Sequence, residues 1–514
     1  MKHVHAAWAA LLALLVIAAF LLTVLLIALL LPHPSALAQE PAPREAPDAA
    51  SLTLAECVRL ALAQGFDAEI ERQSLFIAQD EVPIARSLFH PVLGAGAGRS
   101  VFRRAEGDAR PGSRRDAIDS GVGFTQFMPL GTQLGLDLNT SRFDDDPVAA
   151  QLNPAYTSDV TLRLRQPLLR GFGTRINTQV IRRAEIRLDI AGRNYEDRAL
   201  EVIQGTETAY YLLTGARDQL LVFQASLQLA EALLRESQSR RTAGMATRLD
   251  VLQAEVGLAN ARRNVIEAQK TVHESEDGLL RLIGRFQFDT PLGATSAEAD
   301  LAEALPTVAS SFALARERFP ALRNARAALE LARLDIDSAA DDLKPSFDLD
   351  LAVGFNGEDS TRRGAFSGIS EPDGSSWQAG ISITYPLGRV AEKARFRQSH
   401  YALSQAELRA QQLEQEVLAS VRSAVRNVET NRESVSIATQ AAELARSQYD
   451  AETARFRSGL STSRRVLEAQ TDLESARVAN LQARLDLQTA RAALRRLEGS
   501  SFRRYGVTLE MRAP

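Results

Sequence analysis

The chain has 514 residues, 45% of them hydrophobic and 24% charged, with a formal net charge of −4. That composition fits a folded protein of roughly two to four domains and excludes a nucleic-acid binder, which needs a basic footprint. Cys57 is the only cysteine, so there is no internal disulfide and no cysteine-rich metal site.

Lys2, His3 and His5 precede an apolar run over 6–32, and Ser35-Ala36-Leu37-Ala38 follows. Small residues at Ala36 and Ala38 form an A-x-A cleavage pattern, which predicts a secretory signal over 1–38 cut after Ala38. The run is also long enough to span a bilayer, so an uncleaved anchor is the alternative. Residues 39–50, rich in Pro, Ala and acidic groups, read as a flexible leader. From Ser51 to Leu88 the spacing predicts a helix. Thr53 and Glu56 form a capping box at its start, and Pro83 should bend it or end it early.

After Pro91 the pattern changes to period two, the signature of strands. Leu134, Leu136 and Leu138 alternate with Gln133, Asp137 and Asn139. Val160, Leu162 and Leu164 alternate with Thr161, Arg163 and Arg165. Phe347, Leu349, Leu351, Val353 and Phe355 alternate with Ser346, Asp348, Asp350, Gly354 and Asn356. Ala379, Ile381, Ile383 and Tyr385 alternate with Gln378, Gly380, Ser382 and Thr384. Polar loops are expected over 103–119, 144–158 and 357–376. Such alternation suits either a transmembrane barrel or a soluble antiparallel sheet with one wet face. The first half also carries an extra strand pair, near Asp119–Met128 and Gly131–Phe143. Its pattern leaves open whether it joins the barrel or forms a satellite hairpin.

Two long stretches, 176–241 and 390–459, contain no proline. At 1.5 Å rise per residue the first would be about 100 Å long, more than a globular core can cover. Apolar residues recur there in a 4-3 spacing at Ala209, Leu213, Ala216, Leu220, Phe223, Leu227, Ala230 and Leu234. The second stretch gives Leu403, Ala406, Ala410, Leu413, Val417, Ser420 and Ala424. This period predicts coiled-coil packing. Gly244 and Gly459 break the helices where a tight turn is required, and each half ends in an antiparallel helical hairpin.

The halves are copies. Gly244–Ala254 recurs as Gly459–Ala469, and the register holds without a gap through Gly284 and Gly499. Gln166-Pro167-Leu168 is matched by Tyr385-Pro386-Leu387, and His90-Pro91 by Lys344-Pro345. One unit of helix, strands, long helix and returning helix is repeated, over 51–300 and 301–500, with a tail over 501–514. Two repeats suit closure into a symmetric ring rather than a solenoid.

Constellations for chemistry are missing. His90, His273 and His400 are far apart in sequence, and metal sites need clustered ligands. The run Gly94-Ala95-Gly96-Ala97-Gly98 opens no helix, and there is no P-loop. No catalytic residue, metal or cofactor is expected. Arg464, Arg465 and Glu468 follow the second hairpin turn. They read either as a solvated helix end or, repeated around an axis, as a charged constriction. Asp250, beside the first turn, is a candidate partner for Arg248, Arg464 or Arg465.

The repeated turns, the segment Gln166-Pro167-Leu168-Leu169-Arg170-Gly171-Phe172-Gly173 and the segment Tyr385-Pro386-Leu387-Gly388 together resemble the TolC-like outer-membrane efflux protein family, over almost all of 51–499. The resemblance implies a mixed fold made mainly of long α-helices. In it, a homotrimer with four strands per chain closes one twelve-stranded barrel in the outer-membrane lipid, continued by a periplasmic α-helical coiled-coil barrel. It implies a passive duct, not an enzyme, that receives drugs, metals or polypeptides through a periplasmic adaptor from an inner-membrane pump of the RND or ABC type. In that family an aspartate locks the first turn, and its position is Asp250. The lock's aromatic partner falls at Phe456, which lacks a hydroxyl, and the lock arginine of some members falls at Ser461. The family's acidic constriction falls at Arg465 and Glu468, so Arg465 reverses one charge. The alternative from another class is a periplasmic coiled-coil adaptor anchored by the N-terminal helix.

Overall fold

The structure, a computed structural model, describes residues 53–104, 113–145, 152–284 and 305–509. The signal and leader expected over 1–50 lie outside the described residues. The described chain divides into two compact units, one of 81–185 with 331–403, the other of 53–80, 186–330 and 404–509.

The first unit is built on a sheet whose six strands pair in sequence order, every neighbour antiparallel. They are β1 (Val92–Arg104), β2 (Ser113–Phe127), β3 (Gln133–Asp145), β4 (Ala155–Pro167), β5 (Ser346–Asp359) and β6 (Ser375–Thr384). The extra pair, β2 and β3, is therefore no satellite. It lies inside the ladder, and one chain supplies six strands where the family resemblance implied four. The physical reason is that its alternation keeps the phase of its neighbours. Residues directly opposite on antiparallel strands share a face. One row across the sheet reads Leu93, Phe124, Leu136, Leu162, Val353 and Trp377. The next row, on the other face, reads Gly94, Gly123, Asp137, Thr161, Gly354 and Ser376.

The polar face is bound together by charge. Arg163 lies 3.5 Å from Asp137, and Arg165 lies 3.1 Å from Asp348 and 3.9 Å from Asp350. Glycines make room there: a Cβ on Gly121 would collide with Asn139 Oδ1, and one on Gly123 would meet Asp137 Oδ1 at 2.8 Å. The strands also run further than expected. Arg103, Arg104 and 113–119 are strand rather than loop, because polar side chains pair across the ladder. Arg99 forks onto Asp116 at 2.9 and 2.6 Å, and Arg115 onto Asp145 at 2.8 Å twice. The expected loop 357–376 contains a short helix, Arg362–Gly368, and a 3-10 turn, Pro372–Gly374. Ala365 of that helix is fully buried, and Gly357 leaves no room for a Cβ beneath it. Where β4 ends, the Gly171 N–H donates to Asp341 Oδ2 at 2.7 Å, and Asn177 Nδ2 donates to the Gly171 and Gly173 carbonyls. That junction is the physical content of the Gln166–Gly173 motif.

The second unit is helical. α1 (Leu54–Gln64) starts with the expected capping box: Thr53 N–H donates to Glu56 Oε2 at 2.8 Å, and Glu56 N–H to Thr53 Oγ1 at 3.3 Å. The break then falls at Gly65, not at Pro83. Gly65 is extended, with its N–H on the Ala61 carbonyl, while α2 (Phe66–Ser87) continues through Pro83. The Gly65 backbone also lies too close to the Ala61 carbonyl for a Cβ. The long helices Gln179–Thr242 and Val390–Arg457 have 64 and 68 residues and return as Arg248–Leu282 and Ser463–Glu498. We refer to them as α4, α9, α5 and α10, with α3 being Thr174–Asn177, α6 Val308–Arg318, α7 Pro320–Asp342, α8 Arg362–Gly368 and α11 Ser501–Tyr505.

Three apolar clusters are found among the described residues of this unit, the third at the hairpin turns. In one, Tyr210, Leu213 and Ala216 of α4 pack with Leu279 and Leu280 of α5 and with Ala61 of α1. In another, Val417, Val421, Val425 and Val428 of α9 pack with Leu487 and Leu494 of α10 and with Phe319. Ser420, expected on the α9 seam, is exposed, and Val421 takes its place. α4 and α10 are also tied by charge. Glu207, fully buried, accepts from Arg495 at 2.8 Å and from the Tyr505 hydroxyl of α11. Burial raises the Tyr505 pKa, which keeps the phenol a donor.

Candidate functional site at the helical hairpin turns

Both turns close the same way. Gly244 and Gly459 have φ of 75° and 76°, a left-handed conformation that costs glycine little. In the first, Gly244 N–H reaches the Arg241 carbonyl and Met245 N–H the Arg240 carbonyl. In the second, Gly459 N–H reaches Phe456 and Leu460 N–H reaches Arg455. These are paired Schellman bonds, which satisfy the last carbonyls of each helix.

The returning helices start differently. Thr247 caps α5, and Asp250 completes a box: its Oδ2 accepts from the Thr247 N–H at 2.9 Å and from Thr247 Oγ1 at 2.7 Å. Thr462 occupies the equivalent place before α10 but makes no side-chain cap bond. The equivalent of Asp250 there is Arg465, which has no acceptor to close a box. Buried Ser463 instead donates to Asp250 Oδ1 at 3.0 Å. One carboxylate thus serves both turns. These bonds, with that of the Thr247 side chain foremost, hold the Asp250 pKa below the ordinary aspartate value.

The expected pairing of Asp250 with Arg248, Arg464 or Arg465 is not what the structure places there. Arg464 turns along its own helix to Glu468, 2.9 Å away, one turn on. Arg465 is exposed in the single chain, and Glu468 is exposed beside Arg464. Ser461 donates to Glu452, which also lies 3.5 Å from Arg455.

Phe456 is 7% exposed and packs with Leu233, Ala254 and Val466, one residue from each of the other three helices. The guanidinium of Arg240 stacks over its ring at 4.3 Å. Arg240 also donates to Glu236 at 2.8 Å and to the Arg457 carbonyl at 2.9 Å. A phenylalanine is thus engaged through its ring face, with no hydroxyl needed. Sequence reasoning missed Arg240, Ser463 and Glu452. The serine beside an uncapped Thr462 was the available signal for Ser463; nothing local marks Arg240.

Among the described residues no group of His, Cys, Asp or Glu is arranged to hold a metal ion, and no helix is long and apolar enough to cross a membrane.

Known proteins share this fold. The profile of the family described as Outer membrane efflux protein matches residues 57–285 and 312–500. The chain is 26% identical over 381 residues to Outer membrane protein TolC of Escherichia coli (strain K12), covering 72% of this chain and 75% of that protein. It is 25% identical over 341 residues to Outer membrane efflux protein BepC of Brucella suis, covering 66% and 71%. In fold it is similar to the outer membrane protein VceC of Vibrio cholerae, with a TM-score of 0.63 at 16% identity, over 87% of this chain and 96% of that one.

Proposed function

The chain belongs to the outer membrane efflux protein family, whose members are passive outer-membrane channels, and from that premise we propose that it is the exit duct of a tripartite efflux or type I secretion assembly. Family channels are homotrimers that work with periplasmic adaptors and inner-membrane pumps. We assign the same organisation here, with the sheet in the outer-membrane lipid and the hairpin turns toward the adaptor. The observation that carries the reading is the two-faced ladder. An apolar row crosses every strand on one face, and a row of glycine and polar residues crosses every strand on the other. A strand that is lipid-facing outside and water-facing inside needs that division. Energy and cargo selection belong to the pump.

At the hairpin turns the proposed gate is a ring of Arg465 and Glu468 repeated around the axis. Arg464 neutralises Glu468 within each chain, which leaves Arg465 as the uncompensated charge of this helix start. The constriction is then mixed or weakly anion-favouring. The repeat boundaries, 51–300 and 301–500, belong to the same reading.

The test is reconstitution of the purified full-length protein in planar bilayers without nucleotide. The reading predicts discrete ion-conducting steps. Bilayers that incorporate the protein but never conduct would overturn it.

A further inference from the structure

We propose that this duct has an eighteen-stranded barrel, six strands from each of three copies, with the β2–β3 hairpin (Ser113–Asp145) forming part of the wall. The number of copies rests on the reading above; the number of strands per copy rests on the ladder.

Three observations carry it. First, β2 and β3 are not appended to the sheet. β2 is bonded to β1 along thirteen registered pairs and β3 to β4 along eleven, so β1 reaches β4 only through them. Second, their faces match the wall on either side. Phe124 and Leu136 continue the apolar row from Leu93 to Trp377, while Gly123 and Asp137 continue the polar one. A hairpin packed into the lumen or standing clear of the bilayer would have no use for a lipid-facing phase identical to that of its neighbours. Third, both outer edges are open: β1 and β6 stand at the two ends of the ladder, each bonded along one side only. A long open edge needs a partner. Six strands are too few to close on themselves, since the smallest membrane barrels have about eight.

The occupant of those edges is a second copy of this chain. With an even strand count, β6 runs opposite to β1, so β6 of one copy meets β1 of the next in the same antiparallel sense found within the chain. The contact is head-to-tail, and rotation closes it into a ring. Barrel diameter grows roughly linearly with strand number, so the wall encloses a lumen about one and a half times as wide as twelve strands would. The extra width belongs to the membrane wall alone, since the constriction is set by the hairpin turns.

Cryo-electron microscopy of the full-length protein in lipid nanodiscs counts the strands directly. The expected result is three copies and eighteen strands. Three copies around twelve strands, with 113–145 outside the wall, would overturn this inference and leave the duct standing. Failure to find any barrel would sink the duct itself. A second measurement does not depend on image quality. Single cysteines are placed at Val122, Leu136 and Asp137 in a Cys57→Ser background, labelled with a fluorophore, and reconstituted with brominated lipid. Quenching at Val122 and Leu136 to the level of a Leu162→Cys control, with Asp137 spared, is expected. No quenching at Val122 and Leu136 while the control is quenched would place the hairpin outside the wall and contradict the proposal.

Discussion

Ser463 Oγ donates to Asp250 Oδ1 at 3.0 Å, and this single bond joins the starts of the two returning helices. The two residues are not equivalents in the repeat. Asp250 is a capping-box residue of the first turn; its counterpart in the second is Arg465, which leaves Thr462 without a box. The second turn therefore leans on the first.

Asp250→Ala should loosen both turns, not one. Loss of a cap of this kind costs about 1 kcal/mol. Hydrogen exchange should speed up at 247–251 and also at 462–466. Faster exchange confined to the first turn would mean that the Ser463 bond contributes nothing.

Supplying the missing box should have the opposite effect. Thr462 has φ −108° and ψ 158°, close to the −86° and 165° of Thr247, so the geometry for a cap is already present. Arg465→Glu puts an acceptor at the third helical position and a negative charge at a helix N-terminus, both favourable. Slower exchange at 462–466 is expected. The same variant tests the gate: in bilayers it should shift ion selectivity toward cations relative to the wild type. Unchanged selectivity would remove Arg465 from the constriction.

The pH response of the turn follows from the direction of the Asp250 shift. Its folded pKa is depressed, so its contribution is fully present above the ordinary aspartate value of about 3.9 and is lost as pH falls through the lower folded value. The ratio of protection factors between wild type and Asp250→Ala should be constant from pH 7 to about 5 and fall toward one in strongly acidic solution. A ratio that grows on acidification would reverse the sign and contradict this account.

The buried pair between α4 and α10 makes a separate prediction. Arg495→Met leaves the fully buried Glu207 carboxylate without its cation and should cost about 3–5 kcal/mol. Adding Glu207→Met to it should recover part of that loss, because the stranded charge is gone. Denaturant midpoints of the two single variants and the double variant measure this. Additive losses would show that the pair is not coupled.

Phe456→Leu should keep most of the packing against Leu233, Ala254 and Val466 but lose the Arg240 stack, worth about 0.5–1 kcal/mol. Phe456→Ala should cost about 3–5 kcal/mol through the cavity it leaves. Equal losses for the two, read from denaturant midpoints, would mean that packing contributes little beyond the stack.

Which features the sequence revealed depended on how local their causes were. The alternation at Leu134, Leu136 and Leu138, and at Val160, Leu162 and Leu164, is written into consecutive residues, as are the Thr53–Glu56 box and the glycine turns. The place of β2 and β3 in the ladder is not, because pairing of Asp137 with Thr161 or of Gly123 with Asp137 depends on the register between strands. Pro83 was the expected break in the first helix; the break falls at Gly65, whose close approach to the Ala61 carbonyl is visible only in three dimensions. The Arg240 stack on Phe456 joins helices from opposite halves, and no spacing rule reaches that far. Arg465 was legible as a charge reversal, while the compensating Ser463 bond was not.

The central claim is that several copies of this chain form a duct in the outer membrane. The most direct measurement separates inner from outer membranes of cells making the full-length chain, extracts it in detergent and determines its native mass. The account predicts the outer-membrane fraction and a mass of three chains. A single chain held in the inner membrane, with its N-terminal segment still attached, would contradict it and favour an anchored periplasmic adaptor.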